Sequence, residues 1–163
     1  MLIVRGTKKF RDRVRVDAPA PGEVSTTALG PWYATVHFWK PQVALFVNDR
    51  TLHPPFVAFA PAATVVDRLA DAVVAVLEAY AAPSAFVEGE VAAMRECRLT
   101  PTESRSVVGT MNEFGHMARR VRELGRASDL LALSLDLGEV PCRLKGPAVF
   151  PDREMKAIID GER

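Results

Sequence analysis

Two cysteines and three histidines are all that this chain of 163 residues offers to metal or redox chemistry. Cys97 and Cys142 lie far apart with no CxxC pair and no adjacent histidine, so neither a disulfide framework nor a zinc site is written here. Both are expected as unpaired thiols without metal. Charge of one sign is missing as well: 21 basic residues stand against 20 acidic ones, a formal net charge of +1, which removes the global field of a protein that coats nucleic acid or anionic membrane. No apolar run approaches the roughly 20 residues that span a bilayer. Arg5 interrupts Met1 to Val4 before they become a signal-peptide core, and a cytoplasmic location away from membranes is expected. The phosphate-loop, dinucleotide, nucleophile-elbow, zincin and EF-hand motifs are absent, and no cofactor is expected.

What is there is globular: 48% apolar and 25% charged residues, in a length that suits a single domain over residues 1–163. The basic residues crowd one end, with Arg5, Lys8, Lys9, Arg11, Arg13 and Arg15 set against Asp12 alone in the first sixteen positions. There Leu2 to Arg5 predicts a short strand, and Thr7 to Val14, whose pattern also fits an alternating strand, is read as a small helix capped by Thr7. Pro19, Pro21, Gly22, Gly30 and Pro31 mark a loop. Three strand-like runs follow, Trp32 to Trp39, Gln42 to Asn48 and Leu52 to Phe59, and predict an antiparallel meander whose third strand Pro54 and Pro55 push to an edge. Val43 to Val47 are apolar on both faces, so the sheet is expected to be covered by helices.

After Thr64, a candidate cap, the period changes. Val66, Leu69, Val73 and Leu77 recur at helical spacing, with Asp67 and Asp71 on the opposite face. Further helices are predicted from Ser84 as a cap through Met94, along Met111, Phe114, Ala118 and Val121 to Gly125, from Ser128 to Leu137, and from Pro151 to Asp160. Strands first and helices afterwards give an α+β fold: an N-terminal antiparallel β-meander covered by C-terminal amphipathic helices.

The histidines are the obvious acid–base candidates. His37 alternates inside an aromatic strand and reads as structural, His116 falls on a polar helix face, and His53 follows the polar turn Asn48-Asp49-Arg50-Thr51. Ser104, Arg105, Ser106 and Gly109 stand just ahead of the Met111 stripe, where helix-start amides would favour an anion. If the helix starts near Ser104 instead, Arg105, Asn112, Arg119 and Arg126 form a row every seven residues, with Arg120 and Arg122 beside it. The plain alternative is a capped helix whose arginines are hydrated or paired with residues such as Glu123.

Thr7-Lys8-Lys9, Ser25-Thr26-Thr27 with Leu29-Gly30 and Trp32-Tyr33-Ala34, Leu45 to Asn48 with Arg50-Thr51-Leu52 and Pro54, and Arg105-Ser106-Val107 with Gly109 and Met111 to Phe114 occur in order. Together they resemble a bacterial family defined by a domain of unknown function, over roughly Thr7 to Phe114. Members often carry asparagine where this chain has Ser104. The resemblance implies that Lys8, Lys9, Asn48, Arg50, Arg105 and Asn112 are positions of note, and such donors suit phosphate oxygens or bases. The expected ligand is RNA or a nucleotide, held by Lys8, Lys9, Asn48 and Asn112. A metal-independent, toxin-like ribonuclease would use Arg50 and Arg105 to stabilise the phosphate and His53 to move a proton. Two alternatives stand beside it: a non-enzymatic module that binds a protein partner through Trp32, Tyr33 and Trp39, and an enzyme acting on a small anionic metabolite.

Overall fold

Short runs rich in β-branched and aromatic residues become the strands of one sheet. In the computed structural model, which describes residues 1–125, 129–144 and 146–162, these are β1 (Leu2–Gly6), β2 (Trp32–His37), β3 (Val43–Asn48), β4 (Phe56–Ala58) and β5 (Cys97–Pro101), ordered β4-β3-β2-β1-β5. The meander β2-β3-β4 is antiparallel, with Trp32 opposite Asn48 and Leu45 opposite Phe56. β4 is shorter than the run Leu52 to Phe59 because Pro54 and Pro55 have no amide hydrogen to give a ladder, and it lies at the edge.

The sheet is mixed, since β1 pairs in parallel with both β2 and β5. β5 also departs from the strands-then-helices order: it follows two helices, and only Leu99 among its five residues is buried, which leaves little alternation to read.

Six helices pack on the sheet: α1 (Lys8–Arg11), α2 (Val65–Ala79), α3 (Ser84–Met94), α4 (Arg105–Glu123), α5 (Leu130–Gly138) and α6 (Pro151–Ile159). Period-two alternation divides the strand side chains between two cores. Leu2, Val4, Trp32, Ala34, Phe46 and Val57 meet Phe10 of α1, Leu69, Val73 and Leu77 of α2, Met94 of α3 and Met155 of α6. Tyr33, Val43, Leu45, Val47 and Phe56 meet Met111, Phe114 and Ala118 of α4 and Leu133 and Leu137 of α5. Helices therefore cover both faces, as the doubly apolar β3 requires; all six of its residues are buried. On α2 the expected inward residues hold, with Val65 buried in place of the half-buried Val66, and Asp67 and Asp71 are exposed.

The helix ends differ in detail from their expected caps. Thr64 precedes α2, but its hydroxyl accepts from Arg68 Nη1 at 2.8 Å rather than capping the helix. Pro83 occupies the cap position of α3, which makes Ser84 its first helical residue. Ser128 lies outside the described residues; α5 is capped by Asp129, whose Oδ1 accepts from the Ala132 amide at 2.6 Å. The edge strand β4 is closed by side chains. Ser134 Oγ accepts the Phe56 amide, while the Arg68 guanidinium donates to the carbonyls of Ala58 and Phe59.

Candidate functional site

The turn that joins β3 to β4 is built around Asn48. Its side chain is fully buried: Oδ1 accepts from the amides of Arg50 and Thr51 and from the Thr51 hydroxyl, and Nδ2 donates to the Leu29 and Pro31 carbonyls. Every polar atom of Asn48 thus serves the turn, which leaves none for a ligand. Leu52 completes the reversal at φ 61. His53, next in the chain, is wholly enclosed; its Nε2 lies 2.9 Å from the Tyr80 hydroxyl, and burial holds its imidazole down to about 3. A ring with no exposed surface gives a solvent-borne phosphodiester no direct access to the proton-transfer role expected of His53.

The remaining expected residues do not share one concavity. Arg50 lines a cleft of about 430 Å³ with Arg5, Glu23, Thr27, Thr100 and Glu103. Its charges are mutually compensated: Arg5 pairs with Asp49 at 2.9 Å and Glu103 at 3.1 Å, and Arg98 nearby pairs with Glu23 and Glu96. Arg50 itself lies over Gly30 and donates to the Ala28 carbonyl. Arg105 and Asn112 line a neighbouring cleft of about 400 Å³, again with Glu103.

α4 starts at Arg105, so Gly109 lies inside it rather than ahead of it, and the expected anion loop is instead the second of the two readings, a helix from Ser104. Ser104 Oγ accepts from the Val107 amide at 3.3 Å, the ordinary cap geometry, and its own amide donates to the Tyr33 hydroxyl. An asparagine at this position would cap the helix equally well. Of the seven-residue row, Arg119 pairs with Glu123 and Arg126 lies outside the described residues.

At the other end of β2 the situation reverses. Phe38 points to the α1 side of the sheet and is 47% exposed, with Arg13 Cζ 4.4 Å and Lys9 Nζ 5.9 Å from its ring centroid. Trp39 points to the α4 side, stacked on His37 at 4.5 Å with Arg122 Cζ 5.0 Å from its own centroid. The two units are alike: each is an aromatic ring that backs a guanidinium plate. Among the described residues none of Lys9, Arg13 and Arg122 is in an ion pair. Burial, with the Lys9 and His116 charges adding to it, brings His37 down to about 4, so its ring is neutral beneath the stack. Lys8, beside Lys9, is neutralised by Asp12 at 2.7 Å.

Lys9 is thus the expected site residue that belongs to this cluster. Phe38 and Arg13 carry it without having stood out, although a signal was present: the run His37-Phe38-Trp39-Lys40 ends a strand with large rings in consecutive positions, and consecutive positions face opposite ways. Trp32 and Tyr33, by contrast, are buried and offer no docking surface. Both cysteines are free, and burial raises the thiol of Cys97 to about 12 and of Cys142 to about 11. Among the described residues no group of three His, Cys, Asp or Glu side chains could hold a metal ion, and no helix is long and apolar enough to cross a membrane.

Compared with known proteins, residues 3–154 match the family described as a domain of unknown function (DUF6933), and the chain belongs to that family. No curated protein and no solved structure matches it.

Proposed function

We propose that the protein binds a ligand that joins phosphate to a nucleobase, RNA or a nucleotide, at the aromatic and cationic end of β2. One observation carries the reading. Lys9, Arg13 and Arg122 hold their charges against aromatic rings and, among the described residues, are in no ion pair, whereas Arg5, Lys8, Arg98, Arg119 and Lys156 are each in one. A guanidinium that lies over an aromatic ring can still donate its N–H groups to phosphate oxygens and stack on a base. Such a cluster needs no global positive charge, which agrees with the formal net charge of +1. The location also suits a ligand: β1, β2 and β5 run in parallel, and open sheets with parallel strands take ligands at the carboxyl ends of those strands. Binding rather than cleavage is the reading, since His53 is enclosed.

The test is fluorescence anisotropy of a labelled single-stranded RNA oligonucleotide titrated with the protein at several salt concentrations. Saturable binding is expected, with log affinity falling against log salt at a slope of about −2, as three phosphate contacts on a single strand give. Arg122→Ala should weaken binding about tenfold without changing the melting temperature. Absence of saturable binding at low salt, or an Arg122→Ala variant that binds like the parent, would overturn the reading.

A further inference from the structure

We infer that the ligand is a single strand several nucleotides long, laid across the end of the sheet from the α1 side to the α4 side, and neither a mononucleotide nor a duplex. This rests on the proposed function above and adds to it the length and strandedness of the ligand.

The argument is geometric. Phe38 and Trp39 are adjacent in sequence, yet their cations come from opposite layers: Lys9 and Arg13 from α1 and the residues after it, Arg122 from the last turn of α4. α1 packs through Phe10 into the core on one face of the sheet, and α4 packs through Met111, Phe114 and Ala118 into the core on the other. The two ring-backed cations therefore stand on either side of the sheet. One base with its phosphate engages one plate. To engage both, the chain must cross the edge between them, where the exposed Lys40 follows directly on Trp39 and supplies a further cation along the path.

Strandedness follows from the plates themselves. A base stacks on Arg13 or Arg122 only with its own ring face free, and in a duplex those faces are taken by neighbouring base pairs. A duplex would be left with phosphate contacts alone. The exposed Phe38 ring has the same implication: an aromatic ring left nearly half open at a cationic surface adds nothing to phosphate binding, but it adds stacking area for an unpaired base.

The experiment is competition against the labelled RNA by a mononucleotide, by unlabelled single strands of increasing length, by a duplex of the same sequence and by polyglutamate. The expected result is a rise of about tenfold or more from mononucleotide to the shortest strand that crosses the rim, then a plateau, with the duplex and polyglutamate at least tenfold weaker than the single strand. Arg13→Ala and Arg122→Ala should each lower the affinity of the long strand about tenfold and abolish the length dependence. A mononucleotide that competes as well as the long strand would overturn the strand inference and leave the base-and-phosphate reading standing. A duplex that competes equally would also overturn it, reducing the site to phosphate contacts. Equal competition by polyglutamate, or no binding of any RNA, would overturn both.

Discussion

Gly138 lies against the His53 ring so closely that a Cβ in its place would stand 2.6 Å from Nε2 and 3.3 Å from the Tyr80 hydroxyl. The imidazole has no way to retreat, being wholly buried and joined to Tyr80 at 2.9 Å. Gly138→Ala should therefore overpack the contact between the β3–β4 turn and the end of α5 and lower stability by roughly 1–3 kcal/mol. Urea unfolding measures it, and RNA binding by the folded fraction should be unchanged because the proposed site is at the other end of β2. A variant as stable as the parent would mean that the α5 terminus shifts freely.

Gly115 repeats the relationship in α4, where a Cβ would meet His37 Cε1 at 2.6 Å. Here the displaced ring is the base of the His37–Trp39–Arg122 stack, so Gly115→Ala is expected to disturb the site as well as the core. Trp39 emission should shift while that of the buried Trp32 does not, and RNA affinity should fall several-fold. Unchanged emission together with unchanged affinity would show that the stack does not rest on His37.

Stability should depend on pH through the buried histidines. His53 titrates at about 3 in the folded protein against 6.5 when free of the fold, and burial is the main cause. The unfolded chain takes up a proton below about pH 6.5 and the folded one does not, so this contribution is full above that pH. It is lost at about 1.4 kcal/mol per pH unit as pH falls towards 3. His37, at about 4, acts in the same direction, while Glu90, whose carboxyl burial raises, gains stability as pH falls. Unfolding free energies between pH 7 and 4 should show the slope in the parent and a shallower one in His53→Gln. Parallel slopes would assign the loss to other groups.

Asn48→Ala should cost roughly 3 kcal/mol, since it strands the buried amide of Thr51, the Thr51 hydroxyl and the Leu29 carbonyl at once. Arg50→Ala, which removes one exposed hydrogen bond to Ala28, should cost under about 1 kcal/mol. Thermal melts of the pair separate a turn-forming asparagine from a ligand-binding one; equal losses would contradict this account of the turn.

At the start of α4, Ser104→Ala should lose about 1 kcal/mol and Ser104→Asn almost nothing, because either polar side chain accepts from the Val107 amide. Denaturant midpoints of the two variants test it. A large loss in the asparagine variant would mean that the serine is held by something other than capping.

Much of the architecture was legible because it rests on local rules. The runs of β-branched and aromatic residues over Trp32 to Asn48, apolar on both faces, and the 3.6-residue spacing of Leu69, Val73 and Leu77 state which faces are buried, and burial dominates the energy. The proline pair at 54 and 55 marked the edge strand for a covalent reason, the missing amide hydrogens. The parallel pairing of β1 with β2 and β5 was not legible, since pairing partners distant in sequence leave no periodic trace, and β5 buries a single side chain.

The candidate site divides along the same line. Sequence alone determined that the phosphate-loop, dinucleotide, zincin and EF-hand motifs do not occur, that the first sixteen residues are basic, and that Asn48, Arg50 and Arg105 are residues a core does not obviously need. Only the tertiary structure decided which of these charges remain available. Arg5 meets Glu103 and Asp49 across the fold and is neutralised, Asn48 is consumed by the backbone of its own turn and of the loop before β2, and His53 is sealed beneath Gly138. Lys9, Arg13 and Arg122 meet aromatic rings and form no ion pair among the described residues. That outcome depends on where α1 and α4 come to rest on opposite faces of β2, a matter of long-range packing that no local pattern in the chain encodes.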